Sequence, residues 1–201
     1  MDFLTYHTRV ARLSLSLLQP KQRLLEAPQC YLDRIDGWTE EVRSHSNVYW
    51  LCYDKSADRQ WVSPMPPSHP HVHVHTLRLE LRTPPSGTVL PRNPTTTSSS
   101  NVGTTLLWDD DRVHIWEFRI APGECCQYHT HHLEYCFTNL TQSTTQALND
   151  KGEATEDEPN LQRVGQTVFV NMDSLGSHAV RNVGPSTFLQ FIVEFKYVAR
   201  E

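Results

Sequence analysis

Two histidines separated by one residue, His129 and His131, are the side chains of this sequence best placed to do chemistry. Side chains alternate along an extended strand, so residues i and i+2 leave the same face. A third histidine, His178, lies in a later strand-like segment, and on a neighbouring strand it would complete a facial set. Three imidazoles on one face would bind a first-row metal and leave open positions for substrate or dioxygen.

The residues alone leave a second interpretation open. Imidazoles that converge inside a barrel are costly to bury unless a metal or a hydrogen-bond network satisfies them, so a metal-free pair of core histidines is the alternative. His132 would replace His131 if a bulge shifted the strand by one residue.

The two histidine segments resemble the two motifs of the cupin superfamily. The first motif runs Gly, five residues, His, one residue, His, three or four residues, Glu, and the second ends in His, three residues, Asn. The residues in register are Gly123, His129, His131, Gly165, His178 and Asn182. Two features depart from the pattern: Glu134 follows after only two residues, and 171–176 replaces the usual Pro-x-Gly. The resemblance covers roughly Val102 to Lys196.

The resemblance implies an all-β fold, a cupin-type double-stranded β-helix or jelly-roll barrel. It implies a divalent metal held by His129, His131 and His178, with Fe(II) the leading candidate and Mn, Ni or Zn as alternatives. Glu134 is the carboxylate candidate, either as fourth metal ligand or as catalytic general base. Tyr135 is the second candidate catalytic residue, because some small cupins carry an acid followed by Tyr at this place.

Strand alternation separates these two candidates. Glu134 shares a face with Cys136 and Thr138, whereas Tyr135 shares the other with Phe137, so both cannot face inward unless the chain twists between them. Further pocket or rim candidates are Gln127, Tyr128, Cys136 and Arg181.

The expected function is therefore that of a metal-dependent enzyme acting on a small polar or carboxylate-bearing molecule. An oxidoreductase reaction of the Fe(II) dioxygenase type is the leading expectation. Isomerase or lyase chemistry on the same site, with Glu134 as base, is one alternative. A non-enzymatic cupin that binds a small ligand or a metal is another, since one fold hosts many functions.

Charge and hydropathy limit the kinds of partner that the protein is expected to bind. The net charge is −5, divided as +2 over residues 1–100 and −7 over 101–201, and neither half has the basic patch that nucleic-acid binding requires. No segment approaches the ~20 apolar residues of a membrane span. A small-molecule substrate is thus the expected partner, with a homodimer contact as a further role open to the N-terminal half.

The cysteines favour a reducing compartment, and the expected location is cytoplasmic. The five cysteines follow no disulfide or zinc spacing. Cys125, Cys126 and Cys136 lie near the histidines and would act as soft ligands or redox groups, or simply as small buried hydrophobes. The basic segment Phe3 to Arg23 makes an organellar transit peptide the alternative.

The first hundred residues read as an extension of the barrel. We expect one or two short helices over Val10 to Ala27, broken at Pro20, then a hairpin over Val48 to Val62 and a strand from His71 to Arg82. The strand would carry His71, His73 and His75 on one face, as a second metal site, a wall over the pocket or an ordinary strand face. These strands have too few apolar positions for an independent core, so they are expected to join the barrel or pack across it.

A Pro, Thr and Ser-rich stretch, 83–101, marks the boundary, so we divide the chain into an extension at 1–100 and a barrel at 101–201. The polar, acidic stretch Gln142 to Pro159 reads as a long exposed hairpin loop. Short strands without helices between them favour a jelly-roll barrel. The expected strands are Arg112–Ile120, Cys126–His131, Glu134–Leu140, Gln166–Val170, His178–Val183 and Thr187–Val198.

Overall fold

The computed structural model describes residues 21–27, 30–35, 47–65, 74–82 and 101–196. Over these residues the protein is built from antiparallel strands and one short 3-10 turn, Met172–Ser174. The N-terminal strands form a five-stranded sheet in the order β1-β2-β5-β3-β4. Their bounds are β1 Lys21–Glu26, β2 Cys30–Ile35, β3 Val48–Asp54, β4 Arg59–Ser63 and β5 Val74–Leu81.

The remaining strands form two sheets that face each other across a cavity, which is a jelly-roll arrangement. One sheet has the order β12-β9-β14-β7-β6 and the other β11-β10-β13-β8. Their bounds are β6 Thr105–Asp109, β7 Val113–Ile120, β8 His129–Thr130, β9 Tyr135–Asn139, β10 Ser143–Leu148, β11 Asn160–Gln162, β12 Thr167–Val170, β13 Ser177–Asn182 and β14 Phe188–Phe195. The predicted all-β barrel is confirmed.

Strand alternation explains how the five-stranded barrel sheet is covered on both faces. On β7, Trp116 and Phe118 pack into the barrel, whereas Val113 and Ile115 pack outward. Every residue of β14 is buried, because apolar layers lie against both of its faces. A strand that is buried along its whole length is expected where a sheet is covered on both faces.

The N-terminal sheet forms the outer layer. Leu51 and Leu79 on this sheet belong to the same hydrophobic cluster as Ile115 and Phe191 on the barrel sheet. The predicted packing of the extension across the barrel is therefore what the structure shows. The amide Nε2 of Gln60, on β4, adds a buried hydrogen bond of 3.0 Å to the barrel backbone.

One predicted helix is wrong. Lys21–Glu26 is a strand that pairs antiparallel with Cys30–Ile35, whereas Val10 to Pro20 lies outside the described residues. A segment confined between Pro20 and Pro28 is too short for a stable helix, and as a strand it packs Leu24 and Leu25 against the core.

The predicted exposed loop from Gln142 to Pro159 is also wrong in its first part. Ser143–Leu148 is a strand paired with both β11 and β13, and only the residues after it form an exposed turn. Its polar side chains misled the prediction, because Ser143 and Thr145 are buried with hydrogen-bonded hydroxyls.

The histidine-rich segment before β5 is only partly described. His71 and His73 lie outside the described residues, and the His75 ring stacks on Tyr53 at 6.4 Å within the N-terminal sheet. None of the helices in the described ranges is long and apolar enough to cross a membrane.

Candidate metal centre

Three imidazoles converge where β8 meets β13. His129 lies directly opposite His178 in the strand pairing, and His131 follows just beyond β8, with its N–H bonded to the carbonyl of Gly176 at 3.1 Å. The ring centroids are 4.9 to 5.1 Å apart. One ligand atom from each ring lies within 4.8 Å of the others, and in the part of the chain described here no other His, Cys, Asp or Glu group does so.

The ring of His129 is oriented for a ligand role. Its Nδ1 lies 2.9 Å from the carbonyl oxygen of Gln127, so Nδ1–H donates there, and the tautomer with this proton has its lone pair on Nε2. That Nε2 is 3.1 Å from Nε2 of His131. Two nitrogens bound ~2.1 Å from one ion at right angles lie about 3.0 Å apart, which matches this separation.

Burial keeps the other two rings neutral. It lowers the pKa of His131 to about 3, with repulsion from the neighbouring imidazoles as a smaller cause. Burial, followed by the charge of His129, lowers the pKa of His178 to about 4. Neutral imidazoles are the protonation state that metals bind.

The donor set fits a metal, because the two Nε2 atoms can both offer lone pairs to one ion. The buried Nδ1 of His131 has no hydrogen-bond partner among the described residues. Without an ion, the Nε2 of His131 must either donate to His129 or face its lone pair, and neither choice satisfies Nδ1. A cation held by the two Nε2 atoms would remove the lone-pair repulsion, whereas the Nδ1 of His131 has no partner among the described residues in either case.

Tyr135 forms one side of the site. Its ring stacks on His131 with centroids 4.1 Å apart and planes 13° apart, and it lines the cavity together with Phe137. Burial, with a smaller effect from Glu194, raises the pKa of the phenol to about 12. Of the two neighbours at 134 and 135, the tyrosine is the one on the inner face.

Glu134 lies outside the three-imidazole group. Its carboxylate is 7% exposed and accepts a hydrogen bond of 3.1 Å from the backbone N–H of Met172. Burial raises its pKa. The structure thus places it behind the site, against the turn that precedes β13, and not with the imidazoles.

The other sequence candidates lie away from the cavity. Tyr128 is 46% exposed, and Gln127 contributes its backbone carbonyl to the site while its side chain is exposed. Cys136 is buried on the outer face of β9 against the N-terminal sheet, in keeping with a small hydrophobe. Arg181 alternates with the inward Val180, so it points out of the barrel, and the exposed His132 is not part of the group.

The cavity beside the imidazoles contains residues that sequence reasoning missed. It has a volume of about 190 Å³. Four of its polar lining residues were not predicted: Thr145, Asn160, Gln162 and Gln190. A usable signal existed for Gln190, which is an amide at an inward position of a mostly apolar strand.

Comparisons with known proteins found solved structures only. No family model and no curated protein matches the chain. A cupin domain from Bordetella pertussis Tohama I is 21% identical, with a TM-score of 0.39, over 45% of this chain and 88% of that one. An RmlC-like cupin with a double-stranded β-helix fold from Methanocaldococcus jannaschii is 17% identical, with a TM-score of 0.35, over 45% and 76%. The polyketide cyclase RemF from Streptomyces resistomycificus is 21% identical, with a TM-score of 0.35, over 45% and 62%.

The motif residues occupy the positions that this barrel requires. Gly123 and Gly165 both have left-handed backbone angles, with φ of 81° and 77°, at turns that begin the two motifs. His129 and His178 then face each other on paired strands of one sheet. The barrel has a cupin fold.

Asn182, at the end of the second motif, holds the cupin barrel together. It is 0% exposed, and its Nδ2 donates to the carbonyls of Ile120 at 2.9 Å and Ser186 at 2.8 Å. Its Oδ1 accepts from the Ser143 hydroxyl at 2.6 Å and the Gly184 N–H at 3.0 Å. All four hydrogen-bonding positions of the amide are therefore used inside the protein.

We expect Asn182→Ala to lower the free energy of unfolding by about 2–4 kcal/mol, because it leaves several buried polar groups unpaired. Urea denaturation measures this, with exposed Asn101→Ala as the matched control. Equal midpoints for the two variants would contradict the structural role.

The metal-free protein should lose stability in mild acid. The folded pKa values of His131 and His178 lie below the ordinary value of ~6.5, so between about pH 6.5 and pH 4 the unfolded chain binds protons that the folded chain cannot. Stability contributed by the neutral rings is complete above that window and is lost as pH falls through it. Thermal unfolding in chelator should show a falling Tm, and the double variant His131→Gln, His178→Gln should show a weaker dependence.

Proposed function

We propose that the protein is a metal-dependent enzyme that transforms a small molecule inside the cupin barrel, by a reaction of the dioxygenase type. The observation that carries the proposal is a cavity that opens onto three convergent imidazoles. His129, His131 and His178 would hold the ion. Three protein ligands leave coordination positions on the ion open to a substrate, whereas a structural site has all its positions filled by the protein.

A divalent ion held there would act as a Lewis acid toward oxygen donors and, if it were ferrous, would activate dioxygen. The protein's own residues orient the imidazoles and enclose part of the site. The Gln127 carbonyl fixes the His129 ring, and Tyr135 covers the His131 ring from the barrel side. Phe118, Ile192 and other apolar side chains line part of the same cavity.

The lining favours dioxygenase chemistry over isomerase or lyase chemistry. Among the described residues that line the cavity there is no Asp, Glu, Lys or Arg to act as a strong base or acid. Glu134, the expected base, is held against the Met172 backbone. A dioxygenase places both oxygen atoms in its substrate, so the reaction needs neither a protein base of this kind nor a separate reductant.

The test has two stages. Metal analysis of protein purified without chelators should find close to one divalent ion per chain. Anaerobic reconstitution with ferrous ion, followed by an oxygen-electrode screen over small oxygen-chelating molecules, should then find substrate-dependent dioxygen consumption. A stoichiometric ion without any turnover would favour the non-enzymatic binding alternative, and isomerised or cleaved product without dioxygen uptake would favour the isomerase or lyase alternative.

A further inference from the structure

A chain of hydrogen-bonded side chains, three amides and one hydroxyl, lies at the end of the cavity away from the histidines; we call it the amide chain. The Nε2 of Gln190 donates to Oδ1 of Asn139 at 2.7 Å, and the Nδ2 of Asn139 donates to Oε1 of Gln162 at 3.1 Å. The Nε2 of Gln162 donates in turn to the hydroxyl oxygen of Thr145 at 3.0 Å. The amide chain runs from one barrel sheet to the other, so it connects the two sheets that enclose the cavity.

Strand positions separate this chain from the imidazoles. On β9, Asn139 lies four residues beyond Tyr135, or about 13 Å at ~3.3 Å per residue. On the facing sheet, Thr145 pairs with Asn182, which lies four residues beyond His178. The cavity therefore has a histidine end and an amide end.

The amide chain leaves specific groups over for a ligand. Each amide hydrogen bond uses one N–H, so the second N–H of Gln190 and of Gln162 takes no part in the chain. Neither the Oε1 of Gln190 nor the hydroxyl hydrogen of Thr145 is used in it. Residues that line a cavity and carry such unused donors and acceptors can bind a polar group there.

The burial of the amide chain argues for a role beyond packing. Asn139 is 1% exposed and Gln190 is 7% exposed, at inward positions where apolar side chains would cost less to bury. Asn139 itself does not line the cavity, but it orients both Gln190 and Gln162, which do. It is therefore a positioning residue.

We infer that the amide chain is a specificity element that selects an uncharged ligand, one that reaches the histidine end through oxygen atoms and presents a neutral hydrogen-bonding group to Gln190. This inference rests on the proposed metal site. Among the described lining residues no cation is available to pair with a remote carboxylate or phosphate. The aromatic walls, Phe118, Phe137 and Phe188, and a volume of about 190 Å³, below the ~300–1,000 Å³ of drug-sized pockets, fit a molecule with one ring.

A matched pair of probes tests the remote group alone. 3,4-Dihydroxybenzamide and 3,4-dihydroxybenzoate offer a metal the same two ring oxygens and differ only in a neutral carboxamide against a carboxylate. Both are titrated into the full chain loaded with Co²⁺, whose visible spectrum reports a ligand on the metal, and calorimetry gives Kd. We expect the amide to bind at least about tenfold more tightly, because its N–H can donate to the Oε1 of Gln190, whereas a carboxylate meets that oxygen without a counter-charge.

Variants of the amide end complete the test. Gln190→Leu should reduce the preference for the amide to about threefold or less, and Thr145→Val, which keeps its shape, should weaken amide binding if Gln190→Leu does not fold. Gln146→Leu, on the outward face of β10, is the control that keeps the preference.

The outcomes separate the inference from the proposed function. Equal or tighter binding of the carboxylate, a preference unchanged in Gln190→Leu or Thr145→Val, or bound cobalt whose spectrum neither probe alters would each overturn the inference while the metal site stands. A wild-type chain that binds no cobalt would overturn the proposed function, and the inference with it.

Discussion

His129→Ala should remove the metal from the purified protein and leave the barrel folded. The ring provides one of three ligands, and each ligand of a metal site contributes about 3 kcal/mol, or ~100-fold in affinity. Its removal also leaves two rings that no longer form a facial set. Metal analysis after identical purification should therefore find only trace metal in the variant.

The fold should survive because the two hydrophobic clusters of the barrel do not include His129. Near-wild-type circular dichroism and a small change in Tm check this. Two neighbouring substitutions are the controls. Glu134→Gln and His132→Ala should both keep the metal, since neither side chain lies in the three-imidazole group. A His129→Ala variant that aggregates would show a structural site, and one that keeps its metal would refute the ligand assignment.

Truncation to residues 101–201 should make the protein insoluble. The outward faces of β7, β9 and β14, including Ile115, Leu189 and Phe191, pack against the N-terminal sheet and would be exposed to water. Burial of one such side chain contributes about 1.5–3 kcal/mol. The loss of several is comparable to the ~5–15 kcal/mol that separates folded from unfolded states and leaves a large apolar patch.

The measurement is the soluble fraction after expression. Co-expression of the two parts as separate chains tests whether the exposed apolar face causes the insolubility. Residues 1–100 co-expressed as a separate chain should restore solubility if the exposed face is the cause, whereas an unrelated soluble protein should not. A fragment 101–201 that is soluble and fully metallated on its own would refute the prediction and make the first hundred residues a separate module.

The histidine site could be anticipated because its geometry depends on local rules. A spacing of two residues places His129 and His131 on one face of an extended segment whatever the rest of the fold does. Opposing His129 to His178 required long-range pairing, and that expectation came from the resemblance. The motif spacing therefore predicted which side chains share a face within one extended segment.

Other parts depended on contacts that sequence patterns do not contain. Alternation separated Glu134 from Tyr135 without deciding which one faces the cavity. The decision comes from the N-terminal sheet, which covers the Cys136 face of β9 and leaves Tyr135 inside. Thr145 and Gln162 escaped notice for a related reason, because polar side chains usually indicate exposure and here they satisfy one another in the interior.

The double burial of β14 limits how this protein can be redesigned. Gln190 and Ile192 face the cavity, while Leu189, Phe191 and Val193 alternate with them and face the N-terminal sheet. A bulkier residue on one face of β14 would shift the backbone of the strand, and this shift would disturb the densely packed side chains on the opposite face. Attempts to reshape the cavity for a new ligand should therefore begin at β10 and β11, where Thr145 and Asn160 line the cavity and no second sheet of the described residues lies behind them.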